Sequence, residues 1–380
     1  MNKSRIAWLL NSAFFYWHPT LSEYTRIFPE TTVFAGWWKG YAPGLEDSFK
    51  VEVMGDHKVI PILRSSTSYG SNFTYLPLNI VNRLFKFKPD VIISNSFGVW
   101  TVLALLFKPV GRWKVVIAYE GSSPGVDYRN SAPRLAVRRA MVKAADACIT
   151  NSQAGKAYLI EVLKAKVDRV FAKPYEVPDP KALLEYSGSS DSRVSQLQHP
   201  IFLFVGSIES RKGLNFLLEA CAILEKQKMH NYTLLVVGDG AQREELEGFC
   251  RSANLTERVK WLGRVDYGQL GTFFSAADVF VLPTLEDTWG VVISEAMVIG
   301  KAILCSKCAG AFEIVADGEN GYIFDPYDPE KLAQLMSRMI SDPELVSSMG
   351  KKSQQLMTQY TPKAAAEFLA KVTTTVLEGH

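Results

Sequence analysis

Histidine is scarce in this chain: five among 380 residues, His18, His57, His199, His230 and His380. Cysteine is equally rare, again five. An odd number of thiols in a chain of this length argues against a disulfide framework and for a reducing cytoplasm. The one close pair, Cys305 and Cys308, lacks the second pair that a zinc site needs, so it reads as two buried thiols and no metal is expected. Long apolar runs are missing as well. The longest, 99–107, includes Thr101 and stops at Lys108, short of the roughly 20 residues of a spanning helix. The opening MNKSRIAWLL turns polar at Asn11 with no small-residue cleavage site, and reads as a first strand rather than a signal peptide. There is no GxGxxG, hence no dinucleotide fingerprint, and no short-period repeat. An apolar share of 47% excludes wholesale disorder, a collagen-like chain and a small disulfide scaffold.

What is present points to two domains, since domains run to about 150 residues as a soft rule. The net charge of +3 conceals a split. Residues 1–185 hold 24 Lys+Arg against 15 Asp+Glu, an excess of nine, and the remainder hold 18 against 24, a deficit of six. A basic half suits an acidic partner such as an anionic membrane surface or a lipid phosphate. Its clusters are Arg83, Lys86 and Lys88; Lys108, Arg112 and Lys114; and Arg134, Arg138, Arg139 and Lys143. Solvated faces of ordinary helices would look the same. No nucleic-acid-binding module accompanies the charge, so no nucleic-acid partner is expected.

Short β-branched or apolar runs alternate with helical patterns. Strands are expected at 5–10, 91–94, 114–118 and 147–151, then at 201–205, 232–237, 259–262, 279–282 and 302–305. Helices are expected at 214–226, 242–253, 267–276, 291–299 and 329–341. This alternation predicts an α/β fold of two doubly wound, Rossmann-like domains. The stretch VPDPKALLEYSGSSDSRVSQLQHP (177–200) has prolines at both ends and a polar centre. The expected organisation is an N-terminal domain over 1–180, a linker over 181–200 and a C-terminal domain over 201–360. A final helix over 361–380 is expected to return to the N-terminal domain. Ligands of such sheets sit at the carboxyl ends of the strands, so the site is expected in a cleft that the domains face across.

Three stretches carry chemistry. In PTLEDTWGVVISEAMVIG (283–300) a strand ends and a loop delivers Gly290 to a helix start, whose free N–H groups and dipole suit a diphosphate. Glu295 lies ~7 Å further along the axis, within reach of a ribose. Asp287 stands in the loop. A helix capped by Asp287 or Thr288, with Glu295 as a solvated charge, is the plain alternative. In FVGSIESRKG (204–213), Gly206 permits a tight turn, and Arg211 and Lys212 follow within reach of a phosphate. In VVGDGAQREELE (236–247), Gly238 and Gly240 lie between a strand and a helix.

From residue 202 to about 360, the order FVGSIESRKG, LVVGDGAQREELE, VKWLGRV, ADVFVLPTLEDTWGVVISEAM and GAFEIVADGENGYIFDPYD resembles the group 1 (family 4) glycosyltransferases of GT-B fold. The N-terminal half fits more loosely, through KPDVIISNS, VVIAYEG and ADACITNSQAGKAYL. The resemblance implies a retaining transferase of the hexosyltransferase type, with a nucleoside diphosphate sugar as donor and no metal or other cofactor. The donor would bind to the C-terminal domain and a saccharide or lipid-linked saccharide acceptor to the N-terminal one. It places Lys212 on the donor diphosphate, Gly290 and Val291 as backbone donors to phosphate, Glu295 on the ribose and Val265 at the base. Trp289 and Gly238 join this donor side, and Asp287 takes the place of a glutamate facing the transferred sugar.

Departures from the family pattern are specific. Asp287 is one methylene short, and Ser207 replaces an arginine on the diphosphate, for which Arg211 would compensate. The N-domain histidine near the reacting carbon aligns with Glu120, which is therefore the expected catalytic partner of Asp287. The aromatic segment NSAFFYWHPT (11–20) replaces a short glycine-rich loop. Its Trp17 and His18 are acceptor-side candidates, with burial in the core as the other reading. The resulting expectation is a cytoplasmic transferase, peripheral at the inner membrane face. The rivals are a non-catalytic nucleotide-sugar-binding protein and another GT-B enzyme, such as a sugar-nucleotide epimerase.

Overall fold

The computed structural model describes residues 3–55, 58–63, 69, 71–184 and 192–379. The chain divides into two units: one of residues 1–64, 70–177 and 360–380, the other of residues 65–69 and 178–359. The first contains strands β1 (Ile6–Ser12), β2 (Thr31–Trp37), β3 (Lys50–Val53), β4 (Lys58–Leu63), β5 (Ser71–Tyr75), β6 (Val91–Asn95), β7 (Lys114–Ala118), β8 (Ala147–Thr150) and β9 (Val170–Ala172). The second contains β10 (Ile201–Val205), β11 (Thr233–Val237), β12 (Val259–Gly263), β13 (Val279–Leu282), β14 (Ala302–Ser306) and β15 (Gly321–Phe324).

Both large sheets are wholly parallel. Their orders are β3-β2-β1-β6-β7-β8-β9 and β12-β11-β10-β13-β14-β15, while β4 and β5 form a separate antiparallel pair. Each order reverses direction once, between β1 and β6 and between β10 and β13. Such switch points open crevices at the carboxyl ends of the strands. The inner strands are mainly apolar because helices cover both faces. In β11, for example, all five residues of TLLVV are buried. The expected strands are all found, to within one or two residues. The strands not expected are β2, β3, β9, β15 and the β4–β5 pair; β3 and β9 are short and only partly buried where side chains are described.

The Pro362–Glu378 helix belongs to the first unit and packs along the His18–Ile27 helix. Ala366, Leu369 and Val372 enter one core with Trp8, Trp17 and Tyr24, and the Tyr24 hydroxyl meets Thr373 Oγ1 at 2.7 Å. Within the stretch read as linker, Pro180–Leu184 is a short helix with Leu183 fully buried; residues 185–191 lie outside the described residues. All five cysteines are free thiols. Burial pushes Cys148 and Cys221 up to about 12. Cys305 is buried and Cys308 only half-buried.

Candidate functional site

In the second unit the site is built on the β10 and β13 ends. After β10 the chain makes a short 3-10 turn, Ser210–Lys212, closed by Gly213 at φ +66°. A Cβ at Gly213 would stand 2.1 Å from the Pro283 carbonyl oxygen, so only glycine lets this turn press against the end of β13. The contact is fastened by Leu285 N–H and Thr284 Oγ1, which both donate to the Arg211 carbonyl. It delivers two cations to the 285–290 loop. Lys212 Nζ donates to Asp287 Oδ2, and Arg211 Nη1 donates to the Glu286 carbonyl at 2.9 Å. Tyr69, which clusters with this unit, donates from its hydroxyl to Asp287 Oδ1 at 3.0 Å and lies under the Arg211 guanidinium. Burial would raise the Asp287 carboxyl, but Lys212, Arg211 and Tyr69 together hold it below the usual range, as a carboxylate.

The same loop is clamped from behind. Asp287 N–H donates to the Cys308 carbonyl, Gly310 N–H to that of Asp287 and Ala311 N–H to that of Trp289. Gly290 then enters the Val291–Val298 helix at φ +94° with no side-chain cap, so neither Asp287 nor Thr288 caps it. The helix therefore offers its first N–H groups and the positive end of its dipole. Glu295 is buried, not solvated: it is 5% exposed and accepts from the Tyr267 hydroxyl at 3.1 Å. Burial pushes its carboxyl up to about 7. Gly206 and Gly238 meet where β10 and β11 end. A Cβ on Gly238 would fall 1.8 Å from the Gly206 carbonyl oxygen. Ser207 and Val265 are half-buried loop residues after β10 and β12. Trp289, expected on the donor side, is buried at 1% exposure.

In the first unit, Glu120 follows β7 and accepts from Asn95 Nδ2 at 3.2 Å, while Asn151 N–H donates to the Glu120 carbonyl. The loop beyond it turns about Asp127, 1% exposed, which accepts from the Tyr119 hydroxyl, Ser122 Oγ and Arg129 Nε at 2.6, 2.7 and 2.9 Å. Trp17 and His18 require correction as acceptor-side candidates, for both are fully buried. His18 Nδ1 accepts from Ala42 N–H at 2.9 Å, and Nε2 meets the Ala13 carbonyl at 3.2 Å. Burial pushes the imidazole down to about 4, so it is neutral and packs among Phe15, Trp38 and Phe49. Trp17 stacks on Tyr175. The exposed aromatics of this corner are Phe14 and Trp37, in contact with one another.

Tyr69, Glu286, Tyr267, Asn95 and Asp127 were not signalled by sequence. Tyr69 reaches Asp287 across 218 positions, a pairing that no local pattern encodes. Asp127 stands in SSPGVDYR, between serines and an arginine, a short polar stretch with no period or motif to single it out. Among the described residues, no group of three or more His, Cys, Asp and Glu side chains is placed to hold a metal ion.

Two parallel, singly reversed sheets, each with its loops gathered at a switch point, define a GT-B protein. The family model for glycosyl transferases group 1 matches residues 189–356, and that for Glycosyltransferase Family 4 matches residues 30–171. The chain belongs to the group 1 glycosyltransferases. It is 34% identical over 143 residues to an uncharacterized glycosyltransferase of Methanocaldococcus jannaschii, covering 37% of this chain and 36% of that one. To the D-inositol 3-phosphate glycosyltransferase of Streptomyces avermitilis it is 28% identical over 276 residues, 69% of this chain and 57% of that one. These matches thus leave a large part of each curated relative uncovered. The crystal structure of Anabaena HepE in complex with UDP superposes with a TM-score of 0.74 at 19% identity, over 98% of this chain and 100% of that one.

Proposed function

We propose that the protein transfers a sugar, of the hexose type, from a nucleoside diphosphate sugar to a hydroxyl of a saccharide or lipid-linked saccharide, with retention of anomeric configuration. The observation that carries this reading is the convergence of Arg211, Lys212 and the uncapped Gly290 helix start on one loop at the second unit's switch point. These groups supply fixed positive charge where a departing diphosphate accumulates negative charge, the arrangement that lowers the barrier most in such reactions. They also support catalysis without a metal or other cofactor. Glu295 accepts from the ribose hydroxyls and Asp287 orients the donor sugar. Val265 meets the base. Glu120 steadies the acceptor hydroxyl or the positive charge developing at the anomeric carbon. The UDP bound to the similar Anabaena structure supports a uridine donor. We further propose that the basic first unit rests on an anionic membrane surface at its cytoplasmic face.

Thermal unfolding with millimolar UDP, GDP, ADP and TDP, with and without EDTA, tests the donor side. A diphosphate at 100 times its Kd adds about 2.7 kcal/mol, and the shift should persist in EDTA. No shift with any of the four would overturn the nucleotide reading, and a shift abolished by EDTA would overturn the metal-free one. Donor binding without transfer or slow donor hydrolysis would select the non-catalytic rival; isomerised sugar formed without acceptor would select the epimerase. Glu120→Gln should lower kcat while leaving the UDP shift intact; full turnover would remove it from the mechanism.

A further inference from the structure

The first unit has a crevice of its own, at the point where its sheet reverses between β1 and β6. A cavity of about 500 Å3 opens there, lined by Asn11 at the end of β1, by Ser96, Phe97 and Gly98 after β6, and by Tyr128, Arg134 and Arg138. That volume lies within the ~300–1,000 Å3 of small-molecule sites. Ser96 adopts φ +58°, a left-handed conformation that few non-glycine residues take, and is held by its N–H to the Ala118 carbonyl. Strain of this kind concentrates at functional sites. Gly98 leads into the Val99–Leu106 helix with no side-chain cap.

Arg138 is fixed in advance of any ligand. Arg138 Nη1 donates to the carbonyls of Val126 and Asp127, at 2.7 and 3.2 Å, and to the Tyr158 hydroxyl at 3.0 Å. Its guanidinium also lies 4.8 Å from the Phe97 ring centre and 4.9 Å from that of Tyr128. Arg134 covers Tyr128 at 3.9 Å. Stacked guanidinium planes direct their donors sideways, in the fork that matches a carboxylate or phosphate. Holding Arg138 rigid removes much of the ordering entropy that binding would otherwise cost. No described residue lining the cavity is acidic.

We infer that this cavity binds the acceptor as an anionic saccharide, with Arg134 and Arg138 on a phosphate or carboxylate substituent of the sugar. The inference rests on the reading of the first unit as the acceptor side and names the acceptor's chemical class. Neutral hydroxyls gain less from guanidinium donors than anionic oxygens do, so charge is what the cavity selects.

The full chain, saturated with UDP so that the diphosphate site is filled, is titrated with glucose 6-phosphate, glucuronate and glucose. The charged sugars should bind at least about ten-fold tighter than glucose, as expected of charge-assisted hydrogen bonds. Binding of only one charged sugar keeps the inference and fixes the substituent as phosphate or carboxylate. Arg134→Gln should erase most of the difference, and Arg138→Lys should weaken it while keeping the charge. Because Arg138 also anchors the 126–128 backbone, Arg134→Gln is the deciding variant, and its own UDP shift must equal wild type. Equal affinity for glucose and both charged sugars, or wild-type binding by Arg134→Gln, would overturn the inference. A missing UDP shift alongside selective, Arg134-dependent binding of charged sugars would sink the nucleotide reading alone.

Discussion

Glu295 is held at a cost by the fold that surrounds it. Its ordinary carboxyl titrates near 4.5, and burial moves it to about 7. The folded state therefore binds more protons than the unfolded state between these values. The stability contributed by the protonated form is complete below about pH 4.5 and is lost as pH rises through 7. At pH 8 the buried carboxylate burdens the empty protein by on the order of 3 kcal/mol, at 1.36 kcal/mol per pKa unit. Glu295→Gln keeps the shape without the charge. Its Tm should exceed wild type at pH 8 by several degrees, with the gap closing at pH 5. Donor affinity should fall at both. An equal Tm offset at the two pH values would show that the carboxyl is not held protonated by burial. At this scale the sequence displayed the residues that stand in runs: Lys212 after a glycine turn, and Asp287 and Glu295 around a strand-to-helix loop. It did not display Tyr69 or Tyr267, whose hydroxyls meet those carboxylates only once distant segments are folded together. It also left His18 and Trp17 open between core and ligand, because an aromatic run looks alike in either place.

Glycine turns, not side-chain caps, set the geometry of the elements around the second unit's site. Gly213 combines a left-handed φ with a neighbouring carbonyl oxygen that a Cβ would overlap. Gly318 has a similar φ of +81° but nothing within 4 Å of the added atom. The pair separates two effects of one substitution. Gly318→Ala should cost about 1–2 kcal/mol, the left-handed penalty alone. Gly213→Ala must in addition push the 210–212 turn off the end of β13, taking Lys212 and Arg211 with it. A larger fall in Tm is expected, together with loss of the UDP shift that Gly318→Ala retains. Matching behaviour of the two variants would mean that the turn tolerates displacement. Most strands that the sequence displayed are central ones, buried on both faces and so mainly apolar; Val259–Gly263 is an edge strand displayed by its Val, Trp and Leu. Lys50–Val53 escaped because its residues K-V-E-V are only partly buried at the edge of the sheet. Val170–Ala172 escaped because three residues carry no period.

At the scale of the whole chain, the reversal of charge between halves coincides with a division of surfaces. On the first unit, Val102 and Leu106 of the Val99–Leu106 helix, Val110 of the neighbouring Lys108–Gly111 turn and Val137 of the Ala132–Ala144 helix are 40%, 66%, 72% and 56% exposed. Arg112, Arg134, Arg139 and Lys143 are exposed on or beside the same elements. Exposed apolar side chains with cations on the same elements fit the boundary between lipid headgroups and acyl chains, where each Lys or Arg near an anionic surface is worth about 1 kcal/mol. No helix among the described residues is long and apolar enough to cross a membrane. Attachment through this face would therefore be interfacial and governed by charge. In flotation, the protein should rise with vesicles containing phosphatidylglycerol and remain behind with pure phosphatidylcholine. The difference should shrink in 0.5 M salt, as screening predicts. Leu106→Asp combined with Val110→Asp should reduce recovery several-fold while leaving the UDP shift unchanged, since both residues belong to the first unit. Equal recovery on neutral and anionic vesicles would detach the charge asymmetry from any membrane. The basic first unit would then be explained by an anionic acceptor alone.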